Sequence, residues 1–368
     1  MRKLQLLAMA AAFLAESLPG AQRWDIQYRY RKIDSTLTIN DLAFPDQKRG
    51  VACGYTTDRN EKDKPVVLVT SDGGANWTEA PVKEAGISLF FLDSSTGWMV
   101  TDKGIWTTAE SGRSWSKLKN APGSLLRVWF LDRQHGFAAG LQKRVFETTD
   151  GGDSWKPLEI LKEVQSDPVY TTFGEIAFAD GKGMISGWNI PPRRGGPDWL
   201  DPERAAQRKQ VPHYGVLLET TDGGKKWFKS DAAVFGEITR MSLTPQGIGI
   251  GLITFRDIFD YPSEIMRIDM RTGRSTRIFR QKDRAITDVK MFPGSTVAFL
   301  AGYEPSGPVA SSPIPGKVKV LTSTDMEKWT EMTVDYRAVA HSAILAGPDE
   351  KHVWMATDTG MILKLVDE

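Results

Sequence analysis

The sequence predicts an all-β fold, a seven-bladed β-propeller with four-stranded blades whose last blade is closed by the N-terminal strand. Three observations predict it: a turn motif recurs along the chain, a strand–turn–Gly–apolar unit occurs seven times, and the two ends carry complementary parts of one unit.

The turn motif comes first, because repeats at a fixed spacing decide an architecture before any local propensity does. Thr70-Ser71-Asp72-Gly73-Gly74-Ala75-Asn76-Trp77 is one copy. Thr148 to Trp155, with Asp150 and Gly152, and Thr220 to Trp227, with Asp222 and Gly224, are two more. Thr108 to Trp115 is a variant with Glu110 in the acidic place and Gly112 kept. Arg271 to Thr276 and Ser323 to Trp329 are weaker traces. The residue types suit a staple: the carboxylate accepts hydrogen bonds from backbone N–H groups of its own turn. Glycine takes a backbone conformation that a Cβ disfavours, and tryptophan anchors the turn by burying a large surface.

A second element precedes each turn. Leu42-Ala43-Phe44 is followed by Gly50-Val51-Ala52, Leu89-Phe90-Phe91 by Gly97-Trp98-Met99, and Val128-Trp129-Phe130 by Gly136-Phe137-Ala138. Ile176, Met241, Val289 and Ala343 open the other four copies. A third strand leads into each turn and a fourth follows its Trp, which makes a four-stranded blade. The final unit stops after its third strand, Met361 to Leu365, whereas Arg23-Trp24-Asp25-Ile26 looks like a turn Trp with its fourth strand. Joining them closes the ring and removes an open sheet edge.

Bulk properties fit one exported domain. The chain has 368 residues, 40% hydrophobic and 25% charged, with net charge +1; nothing global points to nucleic acid. Arg2 and Lys3 followed by the apolar stretch Leu4 to Ala15 read as a secretory signal, too short to span a bilayer. Residues 1–21 are therefore expected to be a signal peptide and 22–368 a single propeller domain, with no transmembrane anchor after cleavage and a monomeric state. The one cysteine, Cys53, lies in an apolar strand, and no cysteine follows the h-region, which argues against a lipoprotein anchor.

The T-x-D-G-G-x-x-W turns fed by Asp93-Ser94-Ser95-Thr96-Gly97-Trp98 and Asp132-Arg133-Gln134-His135-Gly136-Phe137 resemble those of BNR-type, or Asp-box, propellers. Within these, the whole mature chain is similar to the photosystem II assembly factors, cyanobacterial Ycf48 and its plant counterpart. The resemblance implies an exported, cofactor-free assembly factor that binds a protein client such as a membrane-complex subunit. It would act in the periplasm, outside the cell, or in the thylakoid lumen of a photosynthetic source. Sialidases, other glycosidases and sorting receptors share the motif, so it specifies fold more than function.

Candidate sites follow from loop placement. The turns between first and second strands should share a face with the boxes. The insertions Thr56–Pro65, Asn189–Tyr214, Phe255–Ser263 and Gly302–Lys317 should crowd the opposite face. The longest holds Arg193, Arg194, Trp199, Arg204, Arg208, Lys209 and Tyr214, an interface-anchor composition of Arg with aromatics. Equivalent first-strand positions give a ring at the channel: Asp41, Ser88, Arg127, Glu175, Arg240, Asp288 and Ser342. Arg127 and Arg240 join the partner-binding set. Asp41, Glu175 and Asp288 are the acids that a glycoside hydrolase, the alternative reading, would use; a glycan-binding propeller without turnover is a further one. The Arg-Ile-Pro element of sialidases is absent, and the four histidines have no metal-ligand spacing, so no metal is expected.

Overall fold

The computed structural model describes residues 22–192, 212–255, 261–306 and 313–367. Seven antiparallel sheets follow one another. Blade 1 uses Ser35–Ala43, Gly50–Asp58, Asp63–Thr70 and Thr78–Ala80. Blade 2 uses Gly86–Phe91, Gly97–Thr101, Gly104–Thr108 and Ser116–Lys117, and blade 3 Leu125–Phe130, Gly136–Gly140, Arg144–Thr148 and Lys156–Pro157. Blade 4 has Thr171–Ala179, Lys182–Asn189, His213–Thr220 and Phe228–Val234; blade 5 has Glu237–Leu243, Ile248–Thr254, Ser263–Asp269 and Arg274–Phe279. Blade 6 is Ala285–Met291, Ala298–Tyr303, Val318–Ser323 and Thr330–Glu331. Blade 7 joins Ala343–Asp349, His352–Thr357 and Met361–Asp367 to the N-terminal strand Gln22–Arg29.

That closure is antiparallel, Trp24 opposite Leu365 and Ile26 opposite Leu363. A short strand, Thr333–Val334, adds a parallel fifth member outside Gln22–Arg29. Trp24 is fully buried between blades 6 and 7, with its ring edge-on to Phe299 at 6.4 Å. It does the work of a box tryptophan, as its place in the sequence predicts. Thr56–Pro65, expected as an insertion loop, instead extends two strands into a hairpin that turns between Asp58 and Asp63. Its backbone groups find ladder partners, so the extra residues lengthen the blade.

The apolar side chains form seven clusters, one per cleft between neighbouring blades. Between blades 2 and 3 the packing rule is clear. Trp98 from the second strand of blade 2 stacks on Phe130 at 3.7 Å, and the box residue Trp155 stands edge-on to Phe130 at 6.1 Å. Blades 7 and 1 repeat it: Trp354 stacks on Phe44 at 3.7 Å, with Trp77 edge-on at 5.8 Å. The edge-to-face pairs are favoured by the ring quadrupoles, and the face-to-face stacks gain from dispersion and area buried. The glycine at the start of the second strand in blades 1 to 4 is required by the same kind of ring. A Cβ on Gly136 would meet Phe130 at 2.7 Å, and one on Gly50 would meet Phe44 at 2.4 Å. The cleft between blades 4 and 5 departs from the rule: its buried cluster is Ala177, Met184, Met241, Leu243 and Ile268, with no aromatic ring.

Candidate functional site: the channel ring and the two faces

The box turns are staples, built alike. In blade 3 the Thr148 hydroxyl donates to Asp150 at 2.8 Å and accepts from the Gly152 N–H at 2.9 Å, while the Ser154 N–H donates to Asp150 at 2.9 Å. Thr70, Asp72, Gly74 and Asn76 repeat this, as do Thr220, Asp222, Gly224 and Lys226. Glu110 keeps only part of it: Gly112 still donates to Thr108 at 3.1 Å, and Ser114 donates through its hydroxyl at 2.7 Å. Ser323 and Asp325 form a genuine shortened box, with Met326 at φ 61° taking the glycine place. Donors to the charged form hold these acids down. The Ser154 hydroxyl and N–H lower Asp150 to about 2, and the Asn76 N–H leads the donors that lower Asp72 to about 2.

The three full boxes also lock onto the turn between the first and second strands of their own blades. Gly73 donates to Lys48 O at 2.8 Å, Gly151 to Gln134 O at 2.8 Å and Gly223 to Gly181 O at 2.8 Å. These turns therefore share one face, as expected. Loops between second and third strands meet the blade-to-blade connections at the other, where Leu141 donates to Ser124 O and Ala340 to Gly316 O.

The ring residues meet at the innermost strands. Asp41 pairs with Cys53, Arg127 with Ala139, Glu175 with Ser186, Arg240 with Leu252 and Asp288 with Ala301. In blades 1 to 6 the ladder shifts register just before this position. A bulge there re-aims one side chain per blade, which is why charged residues recur at it. Blade 7 has no such bulge. Ile344, opposite Ala356, stands at the equivalent place, and Ser342 lies two residues earlier with its N–H on Asp358. Ser342 is thus not a ring member.

The ring is tied internally. Arg127 Nε contacts Glu175 Oε2 at 3.1 Å, Arg240 Nη1 reaches the same oxygen at 3.7 Å, and Arg240 Nε lies 3.5 Å from Asp288 Oδ1. The two aspartates also staple neighbouring blades. Asp288 accepts from Val289 N–H at 2.9 Å and, across the cleft, from Leu345 N–H at 2.6 Å. Asp41 accepts from Leu42 at 2.9 Å and from Leu89 of the next blade at 2.8 Å. Burial pushes the carboxyls of Glu175 and Asp288 above their ordinary values, against the pull of the arginines. Burial opposes the charge on Arg127, but Glu175 and Asp41 outweigh it and raise its pKa. Neutral staples complete the ring, chiefly Ser88 to Leu126 O at 2.8 Å and Thr287 to Ala343 O at 2.9 Å. Sequence reading passed over Thr287, although it stands beside Asp288.

Arg193, Arg194, Trp199, Arg204, Arg208 and Lys209 lie outside the described residues. Tyr214 belongs to the third strand of blade 4, opposite Asn189 and Ala233, and packs against the cluster between blades 3 and 4. Burial, then Asp231, raises its hydroxyl pKa. No group of three or more His, Cys, Asp or Glu is placed to hold a metal among the described residues, and none of their helices is long and apolar enough to cross a membrane.

Fold and ring together define the class: a seven-bladed propeller with stapled outer turns and a charge-paired inner ring. Within that class the chain is similar to the photosystem II assembly factors of the Ycf48 kind. Residues 120–191 match the family described as photosynthesis system II assembly factor YCF48. A Ycf48 of Prochlorococcus marinus is 20% identical over 302 residues, covering 77% of this chain and 82% of that protein. One from Trichormus variabilis is 28% identical over 142 residues, 41% of its length. A Paenibacillus xyloglucanase is 28% identical over 143 residues, so the chain spans 13% of that enzyme. Among solved structures, YCF48 bound to D1 peptide superposes with TM-score 0.58 at 17% identity, covering 94% of this chain and 97% of that one. YCF48 from Cyanidioschyzon merolae gives 0.55 at 14% identity, covering 93% and 98%.

Proposed function

We propose that this chain is an exported, non-catalytic scaffold that binds a polypeptide client during assembly of a membrane complex. The observation that carries the reading is the inner ring. Its buried acids, Glu175 and Asp288, are engaged by Arg127, Arg240 and backbone N–H groups. A glycoside hydrolase needs one carboxyl free to give a proton and another free to attack or activate water. Here the two acids serve to hold blades together. The relatives named photosystem II assembly proteins, and a similar propeller solved with a D1 peptide, support a protein client.

The client surface is the face opposite the boxes, where the segment carrying Arg193, Arg194, Trp199, Arg204, Arg208 and Lys209 leaves and re-enters blade 4. Residues 1–21 hold the export signal, with cleavage between Ser17 and Ala21. Recovery of client from a native envelope extract tests this: R193E together with R194E should lose it. A second reading, glycan hydrolysis, draws on the xyloglucanase likeness. Turnover of fluorogenic glycosides that E175Q abolishes would establish it in place of the scaffold.

A further inference from the structure

The unfilled cleft between blades 4 and 5 has a cause in three places at once. Elsewhere a cleft is closed by a second-strand side chain of one blade, a first-strand side chain of the next, and the latter's box tryptophan. Each of the other six clusters includes at least one tryptophan. In this cleft the second strand offers Met184 where blade 2 has Trp98, and the first strand offers Leu243 where blade 3 has Phe130. The degenerate turn Arg271 to Thr276 has no tryptophan, and Arg274 opens the fourth strand where Trp77 precedes that of blade 1. A cavity of about 710 Å³ results, within the range that holds a specific ligand. Trp188, Phe235 and Phe255 line it, but none occupies the three closing positions.

Charge and backbone narrow the occupant. The lining includes five carboxylates, Glu219, Asp231, Glu237, Glu264 and Asp269, against two arginines. Asp231 is paired with Lys229, Glu264 with Arg280, and Asp269 with Arg271. Among the described residues Glu219 receives only the Ser230 hydroxyl, at 3.4 Å, and partial burial raises its pKa with no described cation set against it. A half-buried carboxylate of that kind favours an incoming cation. The fourth strand of blade 4, Phe228–Val234, runs along the cavity as the outer edge of its sheet. It is seven residues long, against two or three in blades 1, 2, 3 and 6. An open edge of that length is a template for an added strand.

We propose that the cleft between blades 4 and 5 receives an extended polypeptide segment that seats an aromatic side chain in the cavity and sets a neighbouring Lys or Arg against Glu219. The incoming ring takes the place that a box tryptophan holds elsewhere in the molecule. Residues two apart on a strand face the same way, so the aromatic and the cation belong at that spacing. This inference rests on the scaffold reading and names what one client segment must carry.

The test uses the full mature chain and a fluorescein-labelled peptide, Gly-Gly-Trp-Gly-Lys-Gly-Gly, followed by anisotropy. The double variant M184W/L243F rebuilds the stacked pair seen between blades 2 and 3. It should raise the melting temperature, because it fills a cavity, and weaken peptide binding by about tenfold or more. Replacing the peptide's Trp by Ala should do the same on the unaltered protein. E219Q should weaken the Lys peptide by about fivefold while leaving a Gln-for-Lys peptide unchanged. A peptide that fails to bind the unaltered protein, or binds the rebuilt cleft as tightly, overturns the inference. Client recovery measured beside it separates the two failures: a client retained with no peptide bound sinks the cleft alone, and no client at all sinks the scaffold reading.

Discussion

Carboxylates do opposite jobs at the two ends of a blade. At the box turn, Asp72, Asp150 and Asp222 are solvent-facing, and each is held in its charged form by donors of its own turn. At the inner ring, Glu175 and Asp288 are buried, pushed toward their neutral forms, and bonded to other blades. The first kind shapes a local turn and the second fixes blade against blade. Acidic residues recurring in a repeat are thus no guide to chemistry until their partners are known.

The largest effect that could break this contrast is at Arg127. Removing its side chain in R127A leaves Glu175 buried beside the more distant Arg240, and should cost about 3 kcal/mol in urea unfolding. A loss within experimental error would show that the ring does not hold the blades. D288N comes next. It keeps an oxygen for the Leu345 N–H but loses the charge facing Arg240, so about 1–2 kcal/mol is expected. D150N should shift the melting temperature least, because its donors belong to one exposed turn.

Acid titration separates the two kinds by sign. The box acids have folded values below their unfolded ones. Their contribution is fully present above about 3.8 and is lost as pH falls toward about 2 for Asp72 and Asp150. The ring acids have folded values above their unfolded ones, so their contribution weakens as pH rises from the ordinary carboxylate range through the folded value. Chemical denaturation across pH 2–7 should show D150N flattening the low limb and E175Q the limb just above it.

The sequence made the blades legible because their signals are local. Glycine beneath Phe130, the box hydrogen bonds and the stranded Trp24 each report a contact that several blades repeat. The ring was legible to the extent that six blades share a bulge. It failed at Ser342, because blade 7 lacks the bulge and places Ile344 there, a shift that ladder pairing alone reveals. The open cleft was present in the sequence as Met184, Leu243 and the degenerate turn at Arg271. These lie in two blades and three strands, so their convergence required the fold.

The central claim is that function belongs to the face away from the boxes, and charge reversal on each face tests it most directly. Client recovery from envelope extract should fall at least tenfold with R193E/R194E and stay unchanged with K225E/K226E, which alters an exposed box turn of the same blade. Loss of client with the box-face pair, and retention with the other, would contradict the account.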